Sequence, residues 1–288
     1  MTILKKIKYT YTSDHKHWVG DGFHVYGLLR PSEELNQFIS PFIMLDYASP
    51  KEFPISNQRK GVGEHPHRGI ETVTFAYQGE VEHRDSAGGG GVIKPGDIQW
   101  MTTGKGVVHD EFHSAEFSKK GGVFEMVQLW INLPRKYKMI KPKYQEISSE
   151  HIPTVSLGHK IKLRVIAGNF EGTKGPSATF TKVNIYDIIS KENKSISLSL
   201  ENGTNTIILI MRGELKVQNK NFKDKNILIF EREGTEIELK VSDNFKGIIL
   251  NGDPINEPIV AHGPFVMNTK DEIYQAFSDY QNGKMGSL

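Results

Sequence analysis

The sequence predicts an all-β protein made of two β-barrels and closed by a short C-terminal helix. Three observations carry this reading. Most of the 288 residues fall into short β-rich or alternating runs, such as ETVTFAYQG, GVIKPGDIQWM and GVFEMVQLWINLP. Gly, Pro, Asn and Asp bound these runs at the spacing of a sandwich or barrel. The second observation is an internal repeat. FAYQGEVEHRDSAGGGGVIKPGDIQWMTTGKGVVH and LIMRGELKVQNKNFKDKNILIFEREGTEIE share an apolar run and a Gly-Glu-aliphatic step, Gly79-Glu80-Val81 and Gly213-Glu214-Leu215. Each continues with a polar loop, a further strand, a turn containing Gly and another strand, as two copies of one unit would. The third is that helical signal is almost confined to the end of the chain. There Thr269 and Glu272 stand as a capping box, Ile273, Phe277 and Tyr280 recur at helical spacing, and Gly283 supplies a stop.

The repeat divides the chain into a first domain over residues 1–134 and a second over 135–288. A stretch rich in Pro, Lys and Ser, from Leu133 to about His159, links them, and the final strand and helix are free to pack back on the first domain.

Composition narrows the function classes. Lys+Arg 36 against Asp+Glu 34 leaves a formal charge of +2, which gives no electrostatic case for nucleic acid. With no cysteine, disulfides, thiolate metal sites and cysteine nucleophiles are excluded, so any metal is held by nitrogen and oxygen. No window approaches the roughly 18 apolar residues of a membrane helix, and the N-terminus lacks an apolar stretch long enough for a signal peptide. A cytoplasmic protein with no membrane partner is expected.

Five of the 11 histidines (His65, His67, His83, His109 and His113) fall in one segment. Residues i and i+2 of a strand share a face, so His65-Pro66-His67 presents two imidazoles about 7 Å apart. His109-Asp110-Glu111 presents an imidazole and a carboxylate in the same way. Brought together inside a barrel, His65, His67, His109 and Glu111 would converge on one metal ion. Continued from His67, the same parity would carry Glu71, Val73 and Phe75, unless Gly69 inserts a bulge. The repeat copy has no histidine in the corresponding stretches, so one site is expected rather than two. This donor set suits Fe(II) and could take Mn, Co, Ni, Cu or Zn. It leaves positions open for O₂ or a chelating substrate, unlike a closed structural site.

Other candidates are weaker. His15-Lys16-His17 precedes any clear strand. His113 shares parity with Glu111 but reads more readily as a surface histidine than as a group orienting a ligand. Gly88-Gly89-Gly90-Gly91 lacks the Lys-Ser/Thr and helix of a phosphate cradle and reads as a flexible hairpin.

The segment HPHRGIETVTFAYQGEVEHRDSAGGGGVIKPGDIQWMTTGKGVVHDE resembles the metal-binding domain of the pirin family, within the cupin superfamily. The likeness extends to Trp18-Val19-Gly20-Asp21-Gly22-Phe23, to Pro41-Phe42-Ile43-Met44-Leu45-Asp46 and to GDPINEPIVAHGPFVMNTKDEI, and so covers essentially the whole chain. The resemblance implies two cupin barrels, of the jelly-roll type, packed face to face in a monomer. It implies one iron, in the first barrel only, with His65, His67, His109 and Glu111 at the family's ligand positions. Asp110, between two ligands, departs from the pattern, but its face points outward.

The resemblance further implies a metal-dependent dioxygenase that cleaves flavonols such as quercetin with O₂ and releases carbon monoxide. Glu111 would be the catalytic base, and Phe42, Phe53 and Trp100 are candidates to sandwich the small aromatic substrate. The alternative it implies is an iron-bearing regulatory protein that binds a protein partner according to iron oxidation state.

Overall fold

The computed structural model describes residues 3–288 and divides the chain into two compact units. One holds the chain up to Asp14, Leu28–Ile43 and Glu150–Pro254; the other holds His15–Gly27, Met44–Ser149 and Ile255–Leu288. A single cut after residue 134 is therefore corrected, because the strand Lys143–Ile147 pairs residue by residue with Ile98–Thr102 and extends the histidine-bearing unit to Ser149.

The strands of the chain, in order, begin with β1 (Ile7–Tyr11), β2 (Lys16–Val19), β3 (Phe23–Leu29), β4 (Phe42–Phe53), β5 (Gly61–His67) and β6 (Ile70–Gln78). They continue with β7 (Val81–Asp85), β8 (Gly90–Ile93), β9 (Ile98–Thr102), β10 (Val107–His113), β11 (Gly122–Asn132) and β12 (Lys143–Ile147). Strands β2–β12 form the histidine-bearing barrel from two sheets, in the orders β12-β9-β6-β11-β4-β3-β2 and β5-β10-β7-β8.

After β13 (Thr154–Ser156), β14 (Ile161–Ala167) and the small ribbon of β15 (Asn169–Phe170) and β16 (Thr173–Lys174), the second barrel repeats the pattern. Its strands are β17 (Val183–Ser190), β18 (Lys194–Ser199), β19 (Asn205–Arg212), β20 (Glu214–Val217), β21 (Lys220–Lys223), β22 (Ile227–Phe230), β23 (Glu236–Val241) and β24 (Lys246–Gly252). Its sheets run β1-β22-β19-β24-β17-β14-β13 and β18-β23-β20-β21. Strand for strand, β17–β24 occupy the places of β4–β11 without β8 and β21 losing their match. Gly79 and Gly213 sit at the same turn with φ of 76° and 81°, a region glycine enters without steric cost. The repeat legible in the sequence is thus a repeat of sheet order.

The interiors differ. Register aligns Leu198, Val217, Ile237 and Leu239 of the second barrel with His65, His83, His109 and Glu111 of the other. Those four apolar side chains are buried in one continuous cluster with Ile196, Leu215 and Val241. Each is worth about 1.5–3 kcal/mol by removal from water. Where one barrel gathers imidazoles, the other is filled with hydrocarbon.

Two short helices escape the sequence pattern: α1 (Glu33–Ile39), capped by Ser32, and α2 (Ala115–Lys120), capped by Ser114. With six or seven residues neither shows a full apolar period. The C-terminal helix α3 (Lys270–Gln281) has both halves of its capping box: Glu272 N–H donates to Thr269 Oγ1 (3.2 Å), and Thr269 N–H donates to Glu272 Oε2 (2.9 Å). Ile273 and Ala276 of α3 pack with Val108, Phe265, Met267 and Met285. The ribbon of β25 (Val260–His262) and β26 (Phe265–Met267) precedes the helix in the same unit. Among the described residues, no helix is long and apolar enough to cross a membrane.

Candidate metal centre

Strand β5 is set in place by glycines. Gly20 has φ 59°, and a Cβ there would lie 1.9 Å from the Gly61 carbonyl oxygen, so the two backbones meet with no side chain between them. Asp21 Oδ1 accepts the Gly61 N–H at 2.8 Å and fixes the start of β5. From that start β5 runs antiparallel to β10 with His109 opposite His65, and a bulge follows, so that Glu111 pairs with Val62. On its other side β10 pairs with β7, placing Glu111 opposite His83 and His109 opposite Asp85.

This register brings His65, His67 and His109 together. One ring nitrogen of each lies within 4.8 Å of the others, and the ring centroids are 4.2–5.0 Å apart. The Nδ1 atoms are occupied: His65 Nδ1 meets the Gly63 carbonyl at 2.8 Å, and His67 Nδ1 meets the Pro264 carbonyl at 3.1 Å. His109 Nδ1 faces His83 Nδ1 at 3.3 Å. His109 Nε2 is buried without a hydrogen-bond partner. A buried nitrogen left so costs about 1–3 kcal/mol, which coordination would recover. Burial, with the neighbouring His65 adding to it, pulls His67 down to about 3. The same two causes, joined by His67 and His83, hold His109 well below the ordinary imidazole range. Both rings are neutral at physiological pH, the form a metal requires.

Glu111 belongs to a second, overlapping triad. Its carboxylate groups with His83 and His109, also within 4.8 Å, rather than with all three imidazoles at once. Gln99 Nε2 donates to Glu111 Oε1 at 2.9 Å, and Thr74 Oγ1 lies 3.2 Å from the same oxygen. The expected parity across His67 is corrected here. Gly69 (φ 83°) breaks the strand, so the chain changes sheets between β5 and β6. Thr74, not Glu71, therefore faces the carboxylate, while Glu71 accepts from Trp100 Nε1 (3.0 Å) and Thr102 Oγ1 (2.8 Å).

His83 and Asp85 had an unread signal: the same i, i+2 spacing as the ligand pairs, on the strand facing β10. His83 Nε2 meets Asp85 Oδ2 at 3.1 Å, and the ring stacks on Tyr144 at 4.8 Å with 8° between planes. The Asp85 carboxylate accepts the N–H groups of Ala87 (2.8 Å) and Gly89 (2.9 Å). Burial pushes that carboxylate up, but His83 and these two N–H groups outweigh it and hold it below the usual range. Gly88–Gly91 forms the hairpin that this carboxylate caps. A Cβ at Gly89 would come within 2.5 Å of the Tyr144 Cβ, so glycine there admits the stacking tyrosine.

His113, His15 and His17 fall elsewhere. His113 is not exposed and joins no metal-ligating group among the described residues: it is buried among Phe23, Phe53, Phe117 and Phe124 and donates Nε2–H to the Gly22 carbonyl at 3.0 Å. Burial pulls it down to about 4. His15 and His17 are exposed and join no metal-ligating group among the described residues. Asp110 points to the opposite face of β10, where Arg84 pairs with it.

A cavity of about 430 Å³ opens beside the imidazoles, within the range of small-molecule sites. His65, His67 and Glu111 reach its wall, which is otherwise mainly apolar: Phe23, Val25, Met44, Val62, Met126 and Trp130. Trp130 meets the His67 ring edge to face at 4.9 Å. Phe42, Phe53 and Trp100 do not line it; Trp100 is turned toward Glu71 and Phe53 packs against His113.

The family models for pirin and for the pirin C-terminal cupin domain match residues 23–131 and 185–286. A Pseudomonas aeruginosa protein provisionally named a quercetin 2,3-dioxygenase is 44% identical over 98% of this chain and 98% of its own length. The chain belongs to the pirin family. A tomato pirin-like protein is 39% identical over 87% of the chain and 83% of its own. The crystal structure of a quercetin 2,3-dioxygenase from Acinetobacter baumannii superposes with a TM-score of 0.96 at 48% identity, covering 99% of each chain. Both barrels of this pirin are thus cupin domains.

Proposed function

We propose that this pirin is a metal-dependent dioxygenase that cleaves a flavonol such as quercetin with O₂ and releases carbon monoxide. The observation that carries the reading is the placing of three imidazoles and a carboxylate beside an apolar cavity of substrate size. The dioxygenase names of its relatives in P. aeruginosa and A. baumannii support it.

His65, His67 and His109, with Glu111 completing the set, would hold one ion, Fe(II) by preference of the donor set. The unpartnered His109 Nε2 and the occupied Nδ1 atoms of His65 and His67 fit that role. When bound, the metal supplies a Lewis acid and a template for substrate and O₂. Trp130, Phe23, Met44 and Met126 sandwich the flat rings and exclude water. Glu111, steadied by Gln99 and Thr74, takes the proton of the 3-hydroxyl as general base.

Replacing Glu111 with Gln keeps the shape of the site and removes the base. With metal content full, turnover is expected to fall by 10²-fold or more, roughly the contribution of a positioned general base. Turnover equal to that of the unaltered protein would remove Glu111 from the chemistry.

A further inference from the structure

His83 is fully buried, lies outside the set of four ligands, and touches two charged or ligating groups at once. An ionised carboxylate only accepts, so Asp85 requires the proton of His83 to sit on Nε2. Nδ1 of the same ring is then a lone pair, and two donors meet it: His109 Nδ1–H and Gln99 Nε2–H, each at 3.3 Å. With the His109 proton drawn to Nδ1, the lone pair of His109 is left on Nε2, the buried nitrogen without a partner. The order of proton positions is thus dictated from one end, by a carboxylate pinned in the turn after β7 by Ala87 and Gly89. Gln99 ties the same ring to Glu111, and Tyr144 covers it.

We infer that Asp85 and His83 form a buried relay of positioning residues that fixes the tautomer of His109 and so sets how tightly the site holds its metal. The inference rests on the metal-site reading above. Outer groups of this kind typically alter metal affinity 10- to 100-fold. Exchanging Asp85 for Asn puts an amide N–H₂ opposite His83 Nε2. The His83 proton then moves to Nδ1, where it meets the His109 N–H donor to donor, and His109 is driven to the tautomer that blocks Nε2.

The test is Zn(II) affinity by competition with a fluorescent chelator, for the unaltered protein and Asp85→Asn, beside the melting temperature of each metal-free form. A 10- to 100-fold weaker Asp85→Asn at similar melting temperature is the expected result. Equal affinity overturns the relay while leaving the metal site standing, and no Zn(II) binding by the unaltered protein overturns the metal site itself. Nitrogen-15 NMR of the imidazoles in the unaltered metal-free protein needs no variant to fold. It should show His83 protonated at Nε2 and His109 at Nδ1; protonation of His83 at Nδ1 would overturn the relay.

Discussion

At the scale of single residues, burial decides protonation before any metal is considered. His67 and His113 sit at about 3 and about 4 when folded, against about 6.5 in an unfolded chain. Between those values the unfolded chain holds a proton that the folded one does not. Stability is therefore full above pH 6.5 and falls as pH drops below it, by roughly 1.4 kcal/mol per pH unit for each such histidine. The urea midpoint of the metal-free protein is expected to fall between pH 7 and pH 5. His113→Leu should cost about 1–3 kcal/mol at pH 7, since the Gly22 carbonyl loses its donor, and should flatten the acid slope by one histidine's share. An unchanged slope would contradict this account of His113. Spacing made His65, His67, His109 and Glu111 legible, because i, i+2 pairs on strands need no tertiary knowledge. His113 has that spacing too, and only the aromatic neighbours brought from β3, β4, α2 and β11 turn it into a core residue.

Among elements, the ribbon β25–β26 and helix α3 support β5, the strand of His65 and His67, from outside the barrel sequence. The Pro264 carbonyl between the two ribbon strands orients His67. Next to it, Arg68 is buried, with Nη2 2.9 Å from Asp279 Oδ2 on α3 and Nε donating to the Lys105 carbonyl at 2.7 Å. Lys138 Nζ joins the Gly69 carbonyl, Asn132 Oδ1 and the Val266 carbonyl at 2.7–2.9 Å, three acceptors for the three N–H groups of an ammonium. Arg68→Met removes one partner of Asp279, which keeps Lys284 and Gln275, and is expected to cost about 1–3 kcal/mol, read from urea unfolding monitored by tryptophan fluorescence. A loss under 1 kcal/mol would show that α3 does not brace the site through this pair. The capping box announced α3, whereas the break between β5 and β6 hung on whether Gly69 bulged or turned. Parity cannot choose between those outcomes, and the turn that occurred moved Thr74 to the site and Trp100 away from it.

For the whole molecule, one sheet order is used twice and one interior gathers the imidazoles. The strand pattern and the Gly-Glu step showed the duplication, and the missing histidines showed its asymmetry. The extension of the histidine-bearing unit to Ser149 was not legible, because β12 lies inside the stretch from Leu133 to about His159 that reads as linker. The cavity wall was hidden for a related reason: Phe23, Met44, Met126 and Trp130 come from three strands far apart in sequence. With Leu198, Val217, Ile237 and Leu239 filling the second barrel, one metal per chain is expected by elemental analysis, and His109→Ala should lose it. The measurement closest to the central claim is quercetin loss with matched O₂ uptake by iron-loaded protein, beside His109→Ala. One O₂ consumed per quercetin by the first and no turnover by the second is the result this account predicts. No turnover at full iron occupancy would contradict it.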